Sequence, residues 1–425
     1  MIYARTSTRP TSVQRPGSRW ARYAAAVEDG TAPVRERALD FYRALATAGV
    51  VLGHWLVGGL VLGSGGALRI DSPLRYLERY APATWVLQML GLFFFVGGYA
   101  SARSLARAQA GGGTYGTWLR ARAVRMGRPV VAGLALSCLA LGMLAALGVP
   151  AGSLRVWVVL FVQPLWFIAM YGAATALTPL VVRADRRLGF AAAGTLAGIV
   201  AVVDLLRYGP WAAQAPGWWG AIGLVSIVPG WLFAYQLGVA WSAGRLHRAG
   251  WPLLVGGVAV FALLIGPAGY PMSMIGIPDA ARSNALPPSL LVLALASTQA
   301  GAAVLLRDRL ERVMRRRRGL WAAVASVNVV AMTVFCWHQV PLVLAGIAGA
   351  ELGGLPGLNN HRTMWVGCSS ACSGSRFCAD SSWRSCSPRG GWSGRGSACR
   401  SPHPSPPGCL RWASSRSPPP STDPY

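Results

Sequence analysis

Apolar residues gather in nine long runs, at about 39–64, 83–101, 129–149, 156–182, 189–206, 219–242, 251–270, 289–306 and 320–348, parted by short polar stretches. A helix needs roughly 20 such residues to cross about 30 Å of hydrocarbon. The pattern therefore predicts an all-α, polytopic integral membrane helix bundle of about nine transmembrane helices.

The first run, DFYRALATAGVVLGHWLVGGLVLG, breaks the apolar rule twice, with Arg43 and His54 eleven residues apart. Eleven helical steps return to nearly the same face and rise about 16 Å, so both side chains lie on one side of the helix at different depths. Ionisable residues are costly in lipid and usually face a bundle interior or a wet cavity on a functional path. A neutral imidazole can accept a proton from a hydroxyl, which makes His54 a candidate general base; the bland alternative is an interhelical hydrogen bond. Arg43 keeps its proton, so it must meet an anion, snorkel to the interface or pair with Asp40 one turn earlier.

Composition agrees with the membrane reading, at 53% hydrophobic and 13% charged residues with a mean hydropathy of +0.41. The net charge of +26 does not point to nucleic acid, because the arginines occupy short loops rather than one soluble face. All 40 basic residues are arginine, which fits a GC-rich coding sequence and carries no chemistry by itself. Taking the N-terminus as inside, the inner segments hold 25 arginines and the outer loops 6, which predicts a multi-pass cell-membrane protein with a cytoplasmic N-terminus. Residues 1–36 form a proline-containing basic leader too long for the n-region of a signal peptide, and are expected to be a disordered cytoplasmic arm ahead of a retained first helix.

Residues 37–350 make up the membrane domain, and 351–425 form a tail of another kind. After Gly357 the chain is rich in Ser, Arg, Cys and Pro, with no run long enough to cross a bilayer and with six of the eight cysteines. A disulfide framework is one reading and a zinc site another, although the cysteine spacings match no standard ligand pattern and His361 and His403 stand alone. The preferred expectation is a tail read out of frame from near residue 358, replacing a tenth helix and carrying no function. No metal site and no permanently bound cofactor are expected, and no nucleotide-binding fingerprint occurs.

Other polar features sit in or beside the runs. Gly97 and Gly98 permit close approach between helices. In TYGTWLRARAVRMGRP, Arg122, Arg125 and Arg128 recur every third residue before Pro129, stacking guanidinium forks along one helix side. Such a stack suits a phosphorylated ligand, and equally suits anionic headgroups or plain topology. Gln163-Pro164 predicts a kink that leaves a carbonyl free inside the fourth run. In FCWHQVP, Trp337 and His338 read as a belt pair at the outer interface.

Taken in order, Arg-x10-His, FFFVGGYA, the RxxR cluster before Pro129, PLWF and FCWHQVP resemble the acyltransferase family 3 of integral-membrane enzymes, over about Arg37 to Ala350. The resemblance implies an O-acyltransferase taking an acyl group, commonly acetyl, from cytoplasmic acyl-CoA as co-substrate. It implies a hydroxyl-bearing acceptor, such as a glycan, a lipid-linked saccharide or a secondary metabolite, often reached from the other side of the bilayer. It also implies that Arg43 and His54 are essential and that Arg122 and Arg125, with Arg128 as the alternative by register, form the RxxR pair that would hold the donor. Gly97 stands where the family commonly shows serine. A transporter or flippase of an anionic or saccharide substrate is the competing reading, against which the chain shows no convincing internal repeat.

Overall fold

The computed structural model describes residues 18–62, 68–75, 78–209, 217–276 and 283–351. All belong to a unit of Met1–Ser373; the second unit, Gly374–Tyr425, lies outside the described residues, as do the tail cysteines and residues 1–17. The described chain is a helical membrane bundle. Seven helical stretches are long and apolar enough to cross a bilayer: Ala83–Ala110, Tyr115–Ala146, Ala151–Ala176, Phe190–Tyr208, Ala221–Ser242, Leu290–Arg316 and Arg318–Trp337.

The two remaining predicted runs are helices of a different character. The first is α2 (Arg37–Val57), 21 residues long, whose Arg37, Asp40, Arg43 and His54 dilute its apolarity. It follows α1 (Arg19–Asp29) and precedes a hairpin of β1 (Gly59–Leu62) and β2 (Leu68–Asp71), with Gly59 opposite Asp71 and Leu60 opposite Ile70. The other run is α11 (Gly250–Ile265), only 16 residues long. Between these lie α3 (Ala83–Leu87), α4 (Leu90–Ala110), α5 (Tyr115–Ala146), α6 (Ala151–Val162), α7 (Leu165–Ala176), α8 (Thr178–Leu188), α9 (Phe190–Tyr208) and α10 (Ile227–Ser242). The chain continues with α12 (Leu290–Arg316), α13 (Arg318–Trp337) and α14 (Val340–Glu351).

Prolines divide two runs into shorter helices. The predicted kink at Pro164 is the break between α6 and α7. The run drawn as one segment over 320–348 stops at Trp337 and restarts at Val340, because Pro341 has no N–H to extend the ladder and disfavours helical backbone before it. His338 and Gln339 form the turn between them.

The centre of the bundle is the crossing of α4 and α10. Phe94 stacks on Trp231 at 5.5 Å and Phe95 on Trp241 at 5.0 Å. Gly98 lies against the Tyr235 backbone and Gly238 against that of Phe95, with a Cβ on Gly238 only 2.9 Å from Tyr99 N. In lipid, helices gain little from burying apolar surface against each other, so this backbone approach is what packing energy can use. Gly98→Ala meets main-chain atoms that cannot swing aside. It is expected to cost about 1–3 kcal/mol and to lower the yield and melting temperature of detergent-extracted protein, measured by fluorescence-detected size exclusion.

The expected disordered arm is ordered from Ser18. Ser18 Oγ accepts from Ala21 N to cap α1, and the helix docks on α13, where Tyr23 Oη and Ser326 Oγ are 2.7 Å apart. The Arg37 guanidinium donates to both oxygens of Glu28 at 2.7 and 2.8 Å and lies 4.9 Å over the Trp321 ring. That bidentate pair holds the Glu28 carboxyl below its ordinary range. The expectation of disorder failed here because the segment has an apolar face with a partner, which a basic, proline-containing composition conceals.

Candidate active site

Helix α2 is unbroken from Arg37 to Val57, so Arg43 and His54 stand on one helix about 16 Å apart along its axis. The site therefore has two ends, one at each of these residues.

At the Arg43 end, Asp40 Oδ1 accepts from Arg43 Nη1 at 3.4 Å, while Oδ2 takes a shorter bond of 2.6 Å from Arg35. The Asp40 pairing foreseen from i,i+3 spacing exists, but the carboxylate is shared and leaves most of the guanidinium fork of Arg43 unused. Arg122 turns inward from α5. It donates to Ser104 Oγ and reaches Ser101 Oγ and the Ala100 carbonyl on α4, with its guanidinium 4.9 Å over Trp118. Arg43 and Arg125 are both close enough to repel it. None of the ion pairs among the described residues uses Arg122, Arg125 or Arg128. Three cations with a fraction of one carboxylate between them form a site that favours a polyanion. Arg128 is exposed farther along α5, and no contact ties it to this group.

At the other end, His54 lines a cavity of about 400 Å³. Its Nδ1 is 2.8 Å from the Val50 carbonyl, which can only accept, so Nδ1 carries the hydrogen and Nε2 keeps a lone pair. The polar lining comes from Asp71, Thr84, Gln88, Gln163 and Gln339, and the apolar wall includes Leu90, Phe167 and Phe335. Among the described residues no arginine lines it. Asp71 is buried beside Arg75 at 3.6 Å and accepts from Ser72 N at 2.7 Å.

Phe167 lines the cavity and touches the rings of Phe93, Phe94, Tyr171 and Phe335. One helical turn on, Tyr171 packs on Gly97: a Cβ there would sit 2.9 Å from the phenol oxygen. The hydroxyl of Tyr171 thus fills the space of a side chain at position 97.

His338 departs from the expected outer belt. It is buried, and its ring meets that of His54 with centroids 4.8 Å apart at 65°. The Pro341 break turns it back into the bundle, where a straight helix would have carried it elsewhere. Asp71, Gln88 and Gln339 also escaped the sequence reading. Asp71 closes the four-residue strand β2, Gln88 follows α3 and Gln339 lies in a turn, all too short or irregular for periodicity to assign a face. Asp204, another buried carboxylate, is engaged away from His54. Its carboxylate accepts from Leu290 N at 2.7 Å, capping α12, and from Tyr270 Oη at 2.9 Å. Glu78 lies exposed in a short turn and does not line the cavity.

Comparison with known families settles the class, because the family 3 acyltransferase model, described as an acyltransferase domain, matches residues 36–373. The chain belongs to that family. No curated protein and no solved structure matches it. As a membrane acyltransferase it needs a donor and an acceptor. Its family match begins at the head of α2, so α1 lies outside the matched residues.

Proposed function

We propose that this acyltransferase moves an acyl group, with acetyl the expected one, from acyl-CoA to an acceptor hydroxyl, with His54 as general base. The observation that carries the reading is the unprotonated Nε2 of His54 on the wall of a cavity of about 400 Å³, its tautomer fixed by the Val50 carbonyl. The hydroxyl proton passes to Nε2 as the oxygen attacks the thioester carbon. The C–S bond breaks, and the departing CoA thiolate takes up a proton, for which His54 imidazolium is the source.

Arg122 and Arg125 are the donor-binding pair in this reading, holding the CoA phosphates. Arg43 belongs with them rather than with the reacting carbonyl, since it stands about 16 Å from His54 and within electrostatic reach of Arg122. An elongated donor reaching from the cations past Phe167 fits that separation. Arg128, exposed and apart, contributes long-range charge at most. The arginine asymmetry of the loops supports a cytoplasmic donor end, with the cavity towards the opposite side of the cell membrane.

Among the described residues the cavity is lined by polar and apolar side chains and no cation, which supports an acceptor whose reacting end is an uncharged hydroxyl of a glycan, a glycolipid or a secondary metabolite. Reconstitution with radiolabelled acetyl-CoA tests the assignment. Label carried covalently to an acceptor in an extract of the host envelope supports it; solute uptake without acylation overturns it and favours a transporter.

A further inference from the structure

Two imidazoles in ring contact inside a membrane bundle need an account that one general base does not give. His338 donates from Nδ1 to the Phe335 carbonyl at 2.8 Å, as His54 donates to Val50, so both rings hold the same tautomer. The Nε2 of His338 is then an acceptor, buried and without a partner. A buried acceptor left unpaired is costly and is uncommon without a role. His338 does not line the cavity, so it touches neither donor nor acceptor directly. It is instead tied to α2 a second time, where Trp55 Nε1 donates to its carbonyl at 2.6 Å.

We propose that His338 is a positioning residue for His54, whose neutral ring and unpaired Nε2 stabilise the imidazolium that forms when His54 removes the acceptor's proton. This rests on the reading of His54 as general base. In that step the acceptor O–H bond breaks and an Nε2–H bond forms on His54. A positive charge thereby appears where the surroundings are largely apolar. Among the described residues the groups facing it are few. From the α13–α14 turn there is His338; from β2 there is Asp71, which already serves Arg75 and the Ser72 amide; α3, α6 and α7 bring no ionisable side chain to the cavity; and Arg43 stands at the far end of α2. A fixed dipole in ring contact acts strongly in such a medium and needs no reorganisation during the reaction.

The test compares His338→Phe, which keeps a ring and removes the lone pair, with His338→Gln, which keeps an acceptor near the position of Nε2. The full chain, in detergent micelles, is treated with diethyl pyrocarbonate across a pH series, and carbethoxylation of the His54 peptide is followed by mass spectrometry. The reagent attacks only neutral imidazole, so the midpoint reports on His54 whether or not it is catalytic.

The expected result is a midpoint lower by about 0.5–1 pH unit in His338→Phe and within about 0.3 unit of the parent in His338→Gln. The acid limb of the kcat/KM profile is expected to move the same way, with a lower plateau in the Phe variant. An unchanged midpoint in the Phe variant overturns the proposal, because ring packing alone then suffices. Equal displacement in both variants also overturns it, since the acceptor atom then makes no difference. A shifted midpoint with undiminished turnover in His54→Ala would instead strike the general-base reading and leave the pairing of the two rings intact.

Discussion

His54→Ala is expected to lower kcat for acyl transfer by about 10²–10⁴-fold while the membrane-inserted protein is made in nearly parental amount. The first half follows from the geometry of the base. With Nδ1–H committed to Val50, Nε2 is the one ring atom able to take the proton, and His54 lines a cavity of a size to admit an acceptor. General-base assistance of this kind contributes about 10²–10⁴-fold in rate. The second half follows from how little the side chain holds together: its hydrogen bond goes to its own helix, and the adjoining His338 keeps its bonds to Phe335 and Trp55. Steady-state transfer from labelled acyl-CoA, normalised to extracted protein, measures both. Unchanged turnover would remove His54 from the mechanism altogether.

Arg122→Ala is expected to raise the donor KM by about 10–100-fold and to leave the acceptor KM unmoved. Charge-assisted bonds to an anion are worth about 1.5–3 kcal/mol each, and tenfold in affinity corresponds to about 1.4 kcal/mol. Arg122 is singled out among the three α5 arginines because it alone turns inward, placed by Ser101, Ser104 and the Trp118 ring, while Arg125 and Arg128 are exposed. Arg122→Lys restores part of the loss at most, since a single ammonium cannot present a planar fork to phosphate. Arg128→Ala changes donor KM by less than about threefold, an exposed charge being screened by salt. A rise in acceptor KM with donor KM constant would place the donor elsewhere.

These two residues illustrate how unevenly the site was written in the sequence. Arg43 and His54 could be placed on one face of one helix because α-helical geometry is local: eleven steps have the same meaning in any bundle. The kink at Pro164 was legible for the same reason, since a missing N–H acts on its own ladder. His338 was misplaced because Pro341 also broke the last helix, and the direction taken after a break is set by what the next segment packs on. Here that is the β1–β2 hairpin and α6, through Leu60, Leu68, Trp157 and Val343. The order of residues 18–36 was missed on similar grounds. A stretch with arginines and prolines has the composition of a disordered arm unless another helix covers its apolar side, and α13 does so.

By itself the sequence determined the class of molecule and one axis of its chemistry. Hydrophobic run length fixes an all-α membrane bundle, because a bilayer leaves the backbone few ways to satisfy its polar groups. The spacing of Arg43 and His54 fixes an arginine and a histidine about 16 Å apart on one helix face. What the tertiary structure decided was convergence between elements distant in the chain: Arg122 from α5 beside Arg43, His338 beside His54, and a cavity assembled from β2, α2, α6, α7 and the α13–α14 turn. Those meetings depend on close crossings such as Gly98 on the Tyr235 backbone. Packing between helices is a property of two surfaces together, and no single stretch of sequence carries it.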